Sequence, residues 1–214
     1  MLKSYILLTG IVTVVLGISG YTNSTYSNAP MNNKSVISNK TTITQGKSDL
    51  NKTNEQGGKD LGASFRETSD LKKPNIEDAR SFETSLKNGS VIMITRDNST
   101  ELEVYNISTL DKFLDSFNSG KEGYVCIIKG RIISGKLLVN KLEEYETDGK
   151  VIKDTGYDTY ADKNKFIQGT PAYSPKMAKT YSGNSIRYAL LQSKDTPDNM
   201  GATVISFDKS SIKN

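Results

Sequence analysis

Four acidic side chains are the residues of this sequence most able to do chemistry: Glu143, Asp154, Asp158 and Asp162. Carboxylate oxygens are the ligands that Ca²⁺ and Mg²⁺ prefer in proteins. We therefore consider a calcium or magnesium site built from these four acids, although their spacing matches no EF-hand loop. The alternative is that they are ordinary solvated acids at strand ends.

The acids would meet across a hairpin. A two-residue type I′ turn at Asp148-Gly149 would set Tyr145 opposite Ile152 and Glu143 opposite Asp154. Two carboxylates placed face to face cost stability unless a cation or a shared proton lies between them. This geometry suggests a metal-assisted or carboxylate-based hydrolase using Glu143, Asp154 and Asp158 as the second functional hypothesis.

Two patterns resemble known catalytic motifs, but each lacks the partner residues that its chemistry needs. We therefore assign no catalytic residue. Asp154-Thr155-Gly156 spells the tripeptide of aspartic proteases, which need two such loops sharing a proton; no second copy exists, and a turn explains the tripeptide. Cys126 is the one cysteine, and the sequence contains no histidine to activate it. Its place in an apolar run predicts a small buried hydrophobe.

Tyrosines close to the hairpin could line a groove for a peptide or glycan, because an aromatic ring offers an apolar face and a polar tip. The predicted ligand-binding residues are Tyr145, Tyr157 and Tyr160, and Tyr173 and Tyr181 could extend the same groove. The alternative is that they are ordinary sheet and loop residues.

Helices and strands must position these groups. Asn75 can cap a helix that carries Ile76, Ala79, Phe82 and Leu86 at helical spacing. A second helix is predicted from Ser108, which with Asp111 matches a capping box in outline; its apolar stripe is Leu110, Phe113, Leu114 and Phe117.

Strands are predicted after each helix. The first helix precedes strands at Val91–Arg96 and Glu101–Ile107, and the second precedes a strand at Tyr124–Lys129 and the hairpin. Alternating residues in 186–190 and 202–207 predict two more strands in the same sheet. We expect an α+β fold in which two amphipathic helices pack on one face of an antiparallel sheet, with a repeated α-β-β unit as one interpretation.

The segment Leu110–Phe166 resembles a family of small exported Gram-positive proteins, many of them lipoproteins, that is catalogued only as a domain of unknown function. The resemblance lies in LDKFLDSFNSG, LEEYETDGKVI and YDTYADKNKF. The matching positions are Tyr145, Asp148, Gly149, Lys150, Tyr157, Asp158 and Asp162. It implies export and a compact α+β module, and no known activity. Two features depart from the family: the lipoprotein cysteine is missing, and Ser134-Gly135-Lys136 lacks the flanking acidic and proline residues.

The N-terminus predicts export. Lys3 precedes an uncharged apolar run, Tyr5–Gly20, which is typical of a signal peptide and short for a membrane span. We expect a signal peptide or membrane anchor over residues 1–20, a flexible polar tether over 21–72 and a single domain over 73–214. Tyr21 stands where a lipoprotein would carry its lipidated cysteine.

Charge excludes nucleic acid as a partner. From Leu61 onward, 22 basic residues face 21 acidic ones, so the domain has no cationic excess to neutralise phosphates. We expect an extracytoplasmic binding or interaction module, secreted or held at the envelope of a Gram-positive bacterium. Its expected partners are the membrane, if the N-terminal segment is uncleaved, and a cell-wall or protein component. No cofactor is expected beyond the Ca²⁺ considered above.

Overall fold

The computed structural model describes residues 60–68, 71–162 and 164–213, all within one compact unit. The predicted signal peptide or anchor at 1–20, and the predicted tether up to residue 59, lie outside the described residues. Within the described part of the chain, no helix is both long and apolar enough to cross a membrane.

Ten strands and three α-helices make up the described structure, together with short 3-10 turns. The helices are α1 (residues 60–64), α2 (Phe82–Lys87) and α3 (Ile107–Asn118). The strands are β1 (Val91–Arg96), β2 (Glu103–Tyr105), β3 (Gly123–Ile133), β4 (Lys136–Thr147), β5 (Ile152–Asp158), β6 (Ile167–Gln168), β7 (Ala172–Ser174), β8 (Lys176–Ser182), β9 (Ser185–Leu191) and β10 (Ala202–Asp208). The 3-10 turns are Ile76–Arg80, Asp198–Met200 and Lys209–Ser211.

The strands form two sheets. The larger has the order β2-β1-β3-β4-β5-β6, and β7 also pairs with β5. Every pairing in it is antiparallel except β1 with β3, which run parallel and are joined by a crossover that contains β2 and α3. The α+β class with largely antiparallel sheets is confirmed. The placement of the last strands in the same sheet was wrong, since β8, β9 and β10 form their own three-stranded sheet.

The large sheet is covered on both faces. Helix α3 and the three-stranded sheet pack on one face around Val125, Ile127 and Tyr188. The turn Ile76–Arg80 and the first residue of α2 pack on the other face, near Ile92 and Ile128. The prediction of two helices on one face was therefore wrong.

The interpretation of a duplicated unit fails for the same reason. Helix, strand and strand do occur twice in order, but α2 and α3 lie on opposite faces of the sheet. The second strands also differ, because β2 has 3 residues and β4 has 12.

Helix α3 buries the predicted stripe but begins differently. Leu110, Phe113 and Leu114 are buried against the sheet. The N-cap is Asn106, in the left-handed conformation with φ 55°, and not Ser108. The Asn106 side chain donates to the carbonyls of Leu86 and Ser90, so tertiary contacts set the start of the helix and the capping box is not formed.

The first predicted helix is interrupted. Asn75 accepts a hydrogen bond from the Glu77 amide, as a cap should, but the turn it starts ends at Arg80. Ser81 is extended, with φ −108° and ψ 119°, and its hydroxyl accepts from the Thr84 amide. It therefore ends one helical turn and caps the next.

The two-residue turn lies in the β3–β4 hairpin and not at Asp148-Gly149. Ser134 and Gly135 both have positive φ, and Ile133 pairs directly with Lys136, so the two-residue turn lies there. At the predicted turn, Asp148 Oδ1 instead accepts from the amides of Lys150 and Val151, in a four-residue loop.

The register of β4 with β5 is consequently two residues away from the predicted one. Thr147 pairs with Ile152, Tyr145 with Asp154, and Glu143 with Gly156. The predicted pairing of Glu143 with Asp154 was wrong.

The folded region begins earlier than the predicted boundary at residue 73. Glu67 bonds to Lys153 of β5 at 2.9 Å, the Arg66 amide donates to Asp148, and Phe65 contacts the ring of Tyr173. Residues 60–68 therefore belong to the folded module.

Candidate functional site

Strand β4 carries three buried glutamates. Glu143, Glu144 and Glu146 are all nearly inaccessible to solvent. Because side chains alternate along a strand, Glu143 lies on the face covered by α3 and the second sheet, while the other two lie on the opposite face. A buried carboxylate is costly unless it is paired or hydrogen-bonded, so the partners of each one decide its role.

The first acidic cluster consists of Glu143, Asp154, Lys129 and Lys141. Glu143 Oε1 lies 2.7 Å from Lys141 Nζ, and Oε2 lies 3.5 Å from Lys129 Nζ. Asp154 is the diagonal neighbour of Glu143 on the same face, since the residue directly opposite Glu143 is Gly156. The sequence analysis therefore correctly placed Glu143 and Asp154 near each other. The strand register from which it derived this was wrong, because the two residues are diagonal neighbours and not a direct pair.

Two oxygens of this cluster lack a hydrogen-bond partner among the described residues. They are Glu143 Oε2 and Asp154 Oδ1, and both atoms are buried. Burial, followed by the nearby Glu143 charge, raises the pKa of Asp154 to about 6. The Asp154 carboxyl therefore loses its proton at about pH 6 in the folded protein.

The second acidic group is built around Glu144. The Tyr124 hydroxyl donates to Oε1 at 2.5 Å, and the Tyr157 hydroxyl donates to Oε2. Cys126 lies beside them, and burial, followed by the Glu144 charge, raises the pKa of its thiol to about 12. A thiol that stays protonated is a poor nucleophile, so Cys126 acts as a buried apolar residue.

The third glutamate ties the N-terminal residues to the sheet. Glu146 Oε2 lies 2.5 Å from Lys73 Nζ, and its Oε1 lies 3.7 Å from Lys153 Nζ. The Thr68 hydroxyl also donates to Glu146 at 3.4 Å. This arrangement is structural, because the contacts of Glu146 hold Thr68 and Lys73 against β4 and join β4 to Lys153 of β5.

The predicted four-acid metal site is not assembled. Asp158 is fully exposed and accepts from the amides of Tyr160 and Ala161, while Asp162 accepts from the amide of Asn164. Both close local turns, so they do not reach Glu143 and Asp154. Among residues 60–68, 71–162 and 164–213, no group of three or more acidic or cysteine side chains is placed to hold a metal ion.

The three predicted ligand-binding tyrosines do not form one surface. Tyr145 is only 1% exposed and lies in the core. Tyr157 is partly buried on the opposite face and is committed to Glu144, whereas Tyr160 is 73% exposed in a loop. Tyr145, Tyr157 and Tyr160 therefore do not line one groove, although Tyr160 remains free to contact a ligand.

A groove of about 750 Å³ lies elsewhere, beside the β3–β4 hairpin. It is bounded by the hairpin, by α2 and by the loop before β6. Its lining combines cationic and apolar side chains, including Arg80, Phe82, Arg96, Lys136, Leu137 and Phe166. Such a mixture suits a chain that carries both apolar and anionic groups.

One border of this groove is an unpaired strand edge. Strand β4 pairs with β3 from Lys136 to Thr147, with a bulge at Asn140, but β5 pairs only with Leu142–Thr147. In the part of the chain described, Lys136–Lys141 therefore has a strand on one side only. Near its end, the Thr159 hydroxyl reaches the Asn140 carbonyl at 3.4 Å.

Ladder geometry indicates which backbone groups are free. In an antiparallel ladder, hydrogen-bonded pairs of residues alternate with non-hydrogen-bonded pairs. The N–H and C=O groups of a non-hydrogen-bonded pair point away from the partner strand. Ile133 and Lys136 close a two-residue hairpin and form a hydrogen-bonded pair. The backbone N–H and C=O groups of Leu137 and Val139 therefore point toward the open edge of β4.

Sequence reasoning missed this site because the signals are scattered. Arg80, Arg96 and Lys136 come from three separate elements, and nothing in their spacing indicates that they converge. A sequence signal was the adjacent apolar pairs Ile132-Ile133 and Leu137-Leu138, because neighbours on a strand point to opposite faces and a strand with one buried face exposes one member of each pair.

Comparisons of the chain with protein-family models, with curated proteins and with solved structures found no match. The family resemblance noted for Leu110–Phe166 therefore stays a prediction, and the groove and its edge are the basis for assigning a function.

Proposed function

We propose that this protein is an exported interaction module that binds an extended polypeptide segment by adding it as a strand to the open edge of β4. The observation that carries the proposal is the unpaired stretch Lys136–Lys141, which borders a groove with apolar and cationic walls. Strand addition supplies affinity through main-chain hydrogen bonds and specificity through the side-chain pockets beside the edge.

The edge is long enough for this purpose. A strand of five or six residues is typical of globular proteins, and the open stretch has six residues, including the bulge at Asn140. The exposed side chain of Leu138, a groove residue, gives an incoming segment apolar surface to cover. Unpaired edges are usually blunted by lysines and bulges, and Lys136 and Lys141 here discourage indiscriminate pairing.

Export rests on the N-terminal pattern of a basic residue followed by an apolar run. An exported chain with a polar tether would present the groove to proteins of the cell envelope. The proposed location is therefore extracytoplasmic, secreted or at the outer face of the cytoplasmic membrane, and the proposed partner is a protein segment.

A carboxylate hydrolase has less support. Glu143 is 6% exposed, and neither it nor Asp154 lines the groove, so a substrate has no described route to the pair. The lysines around Glu143 also favour a structural ion cluster.

Amide hydrogen exchange of the full-length chain in mild detergent tests strand addition. The probes are three blocked peptides of about eight residues that alternate valine with glutamate, glutamine or lysine. Binding of at least one should slow exchange at the Leu137 and Val139 amides. Strand β8, an edge strand of the other sheet, is the internal control. No protection at β4 with any peptide at millimolar concentration, or equal protection at β8, would refute the proposal.

A further inference from the structure

We infer that the segment recognised at the β4 edge is acidic, with glutamate or aspartate side chains that reach two preorganised arginines in the groove. The inference rests on the proposed strand addition and names the chemistry of its partner. It follows from how each guanidinium is held and from the charges of the alternative occupants.

The guanidinium group of Arg80 is fixed by an ion pair and by an aromatic ring. Its Nε donates to Glu77 Oε2 at 2.7 Å, and its guanidinium carbon lies 4.1 Å from the centre of the Phe166 ring. Glu77 is fixed in turn by accepting the Phe166 amide at 2.8 Å. The Nη groups of Arg80 make no hydrogen bond to the described residues, and its side chain is 38% exposed at the groove.

Arg96, the last residue of β1, is held in the same way. Its Nε donates to Glu103 at 2.9 Å, and Nη2 lies 3.2 Å from the Tyr105 hydroxyl. Its guanidinium also lies over the Phe82 ring, with the guanidinium carbon 5.8 Å from the ring centre. A glutamate therefore fixes each arginine through Nε, and the outer part of the guanidinium group still faces the groove.

A fixed arginine fork favours carboxylates. Guanidinium groups bind carboxylates with directed, charge-assisted hydrogen bonds, and less side-chain entropy is lost when the fork is already oriented. Glu83 is the one acidic residue that lines the groove, against three basic ones. A partner bearing carboxylates thus meets donors whose direction is set before it binds.

Charge also argues against the two occupants that this chain could supply. Residues 21–59 contain five lysines and two acidic residues, so the chain's own N-terminal region is basic like the groove. A second copy pairing through the same edge would bring Lys136 and Lys141 of both copies together, and like charges across a strand pair are destabilising. An acidic segment of another protein is the occupant with matching charge.

The three peptides used for strand addition also test the inference. We expect the glutamate peptide to bind about tenfold or more tightly than the glutamine peptide, and the lysine peptide to bind weakest. The preference should shrink as salt rises from low to physiological concentration, because the charges at the groove are partly exposed. Equal binding of the glutamate and glutamine peptides, both with protection at β4, would overturn the inference and leave strand addition standing.

Variants separate the arginines from general electrostatics. Arg96→Gln should remove most of the advantage of the glutamate peptide and leave the glutamine peptide unaffected. Arg66→Gln is the matched control, because Arg66 is an exposed arginine in the 60–68 segment. Lys136→Gln, at the exposed end of the hairpin, gives a second test that does not disturb an ion pair. If neither Arg96→Gln nor Lys136→Gln lowers the preference below that of Arg66→Gln, the acidic partner is refuted.

Discussion

Replacing Asp154 by asparagine should stabilise the protein at neutral pH and have little effect in acid. Burial and the nearby Glu143 charge raise the pKa of the Asp154 carboxyl from 3.8 to about 6. Well below pH 3.8 both folded and unfolded chains hold the proton, so the carboxyl contributes no pH-dependent penalty. As pH rises from 4 to 6, the unfolded chain gives up the proton first, and folding becomes less favourable.

The size of the stability gain follows from the pKa shift of Asp154. About two pKa units correspond to about 3 kcal/mol of folding free energy, because each unit is worth about 1.4 kcal/mol. Asp154 is only partly buried, and solvent screening lowers the expected gain of Asp154→Asn to about 2 kcal/mol at pH 7.5.

Urea unfolding at pH values from 4 to 8 measures the difference between the variant and the wild type. Asp158→Asn is the matched control, since Asp158 lies on the same strand but is exposed, and backbone hydrogen bonds lower its pKa. We expect the Asp154 difference to grow with pH and the Asp158 variant to show no such gain. A constant difference between pH 4 and pH 8, or a loss of stability at pH 7.5, would refute the assigned environment of Asp154.

Two further predictions concern a loop and the thiol. Gly149→Ala should destabilise the protein by at least about 2 kcal/mol, since φ is +84° and a Cβ would lie 2.3 Å from the Gly120 backbone; Gly135→Ala, at φ +76° with open space around it, should cost only about 1 kcal/mol in the same urea assay. Similar losses for the two variants would contradict the packing of the β4–β5 loop. Cys126 should resist iodoacetamide at pH 8 in the native protein and react in urea, because burial raises the pKa of its thiol to about 12. Rapid labelling of the native protein, followed by mass spectrometry, would show that the thiol is not buried.

Local patterns predicted several elements well, and the reason is that their signals lie in neighbouring residues. Leu110, Phe113 and Leu114 form one face of α3 by spacing alone, and Asn75 caps the turn that follows it. Ile186 and Tyr188 alternate with more exposed residues in β9. These features need only the 3.6-residue period of a helix or the two-residue period of a strand.

Predictions that depended on distant residues failed. The β4–β5 register differs from the predicted one by two residues. The cause is a longer loop, in which the Asp148 carboxylate accepts hydrogen bonds from two amides and Gly149 packs against Gly120. The start of α3 moved to Asn106 because that side chain bonds to carbonyls far back in the chain. The prediction of a four-acid metal site was wrong because Asp158 and Asp162 accept hydrogen bonds from nearby backbone amides in local turns.

The sequence by itself determined the α+β class, most helices and strands, the lack of a histidine, and the near-neutral charge of the domain. Only the tertiary structure decided which faces the helices cover, which acids meet and where the sheet stays open. Arg80 and Arg96 face one groove because chain elements far apart in sequence pack on the same sheet. Local periodicity carries no information about such packing, since it records which residues are buried and not which residues they meet.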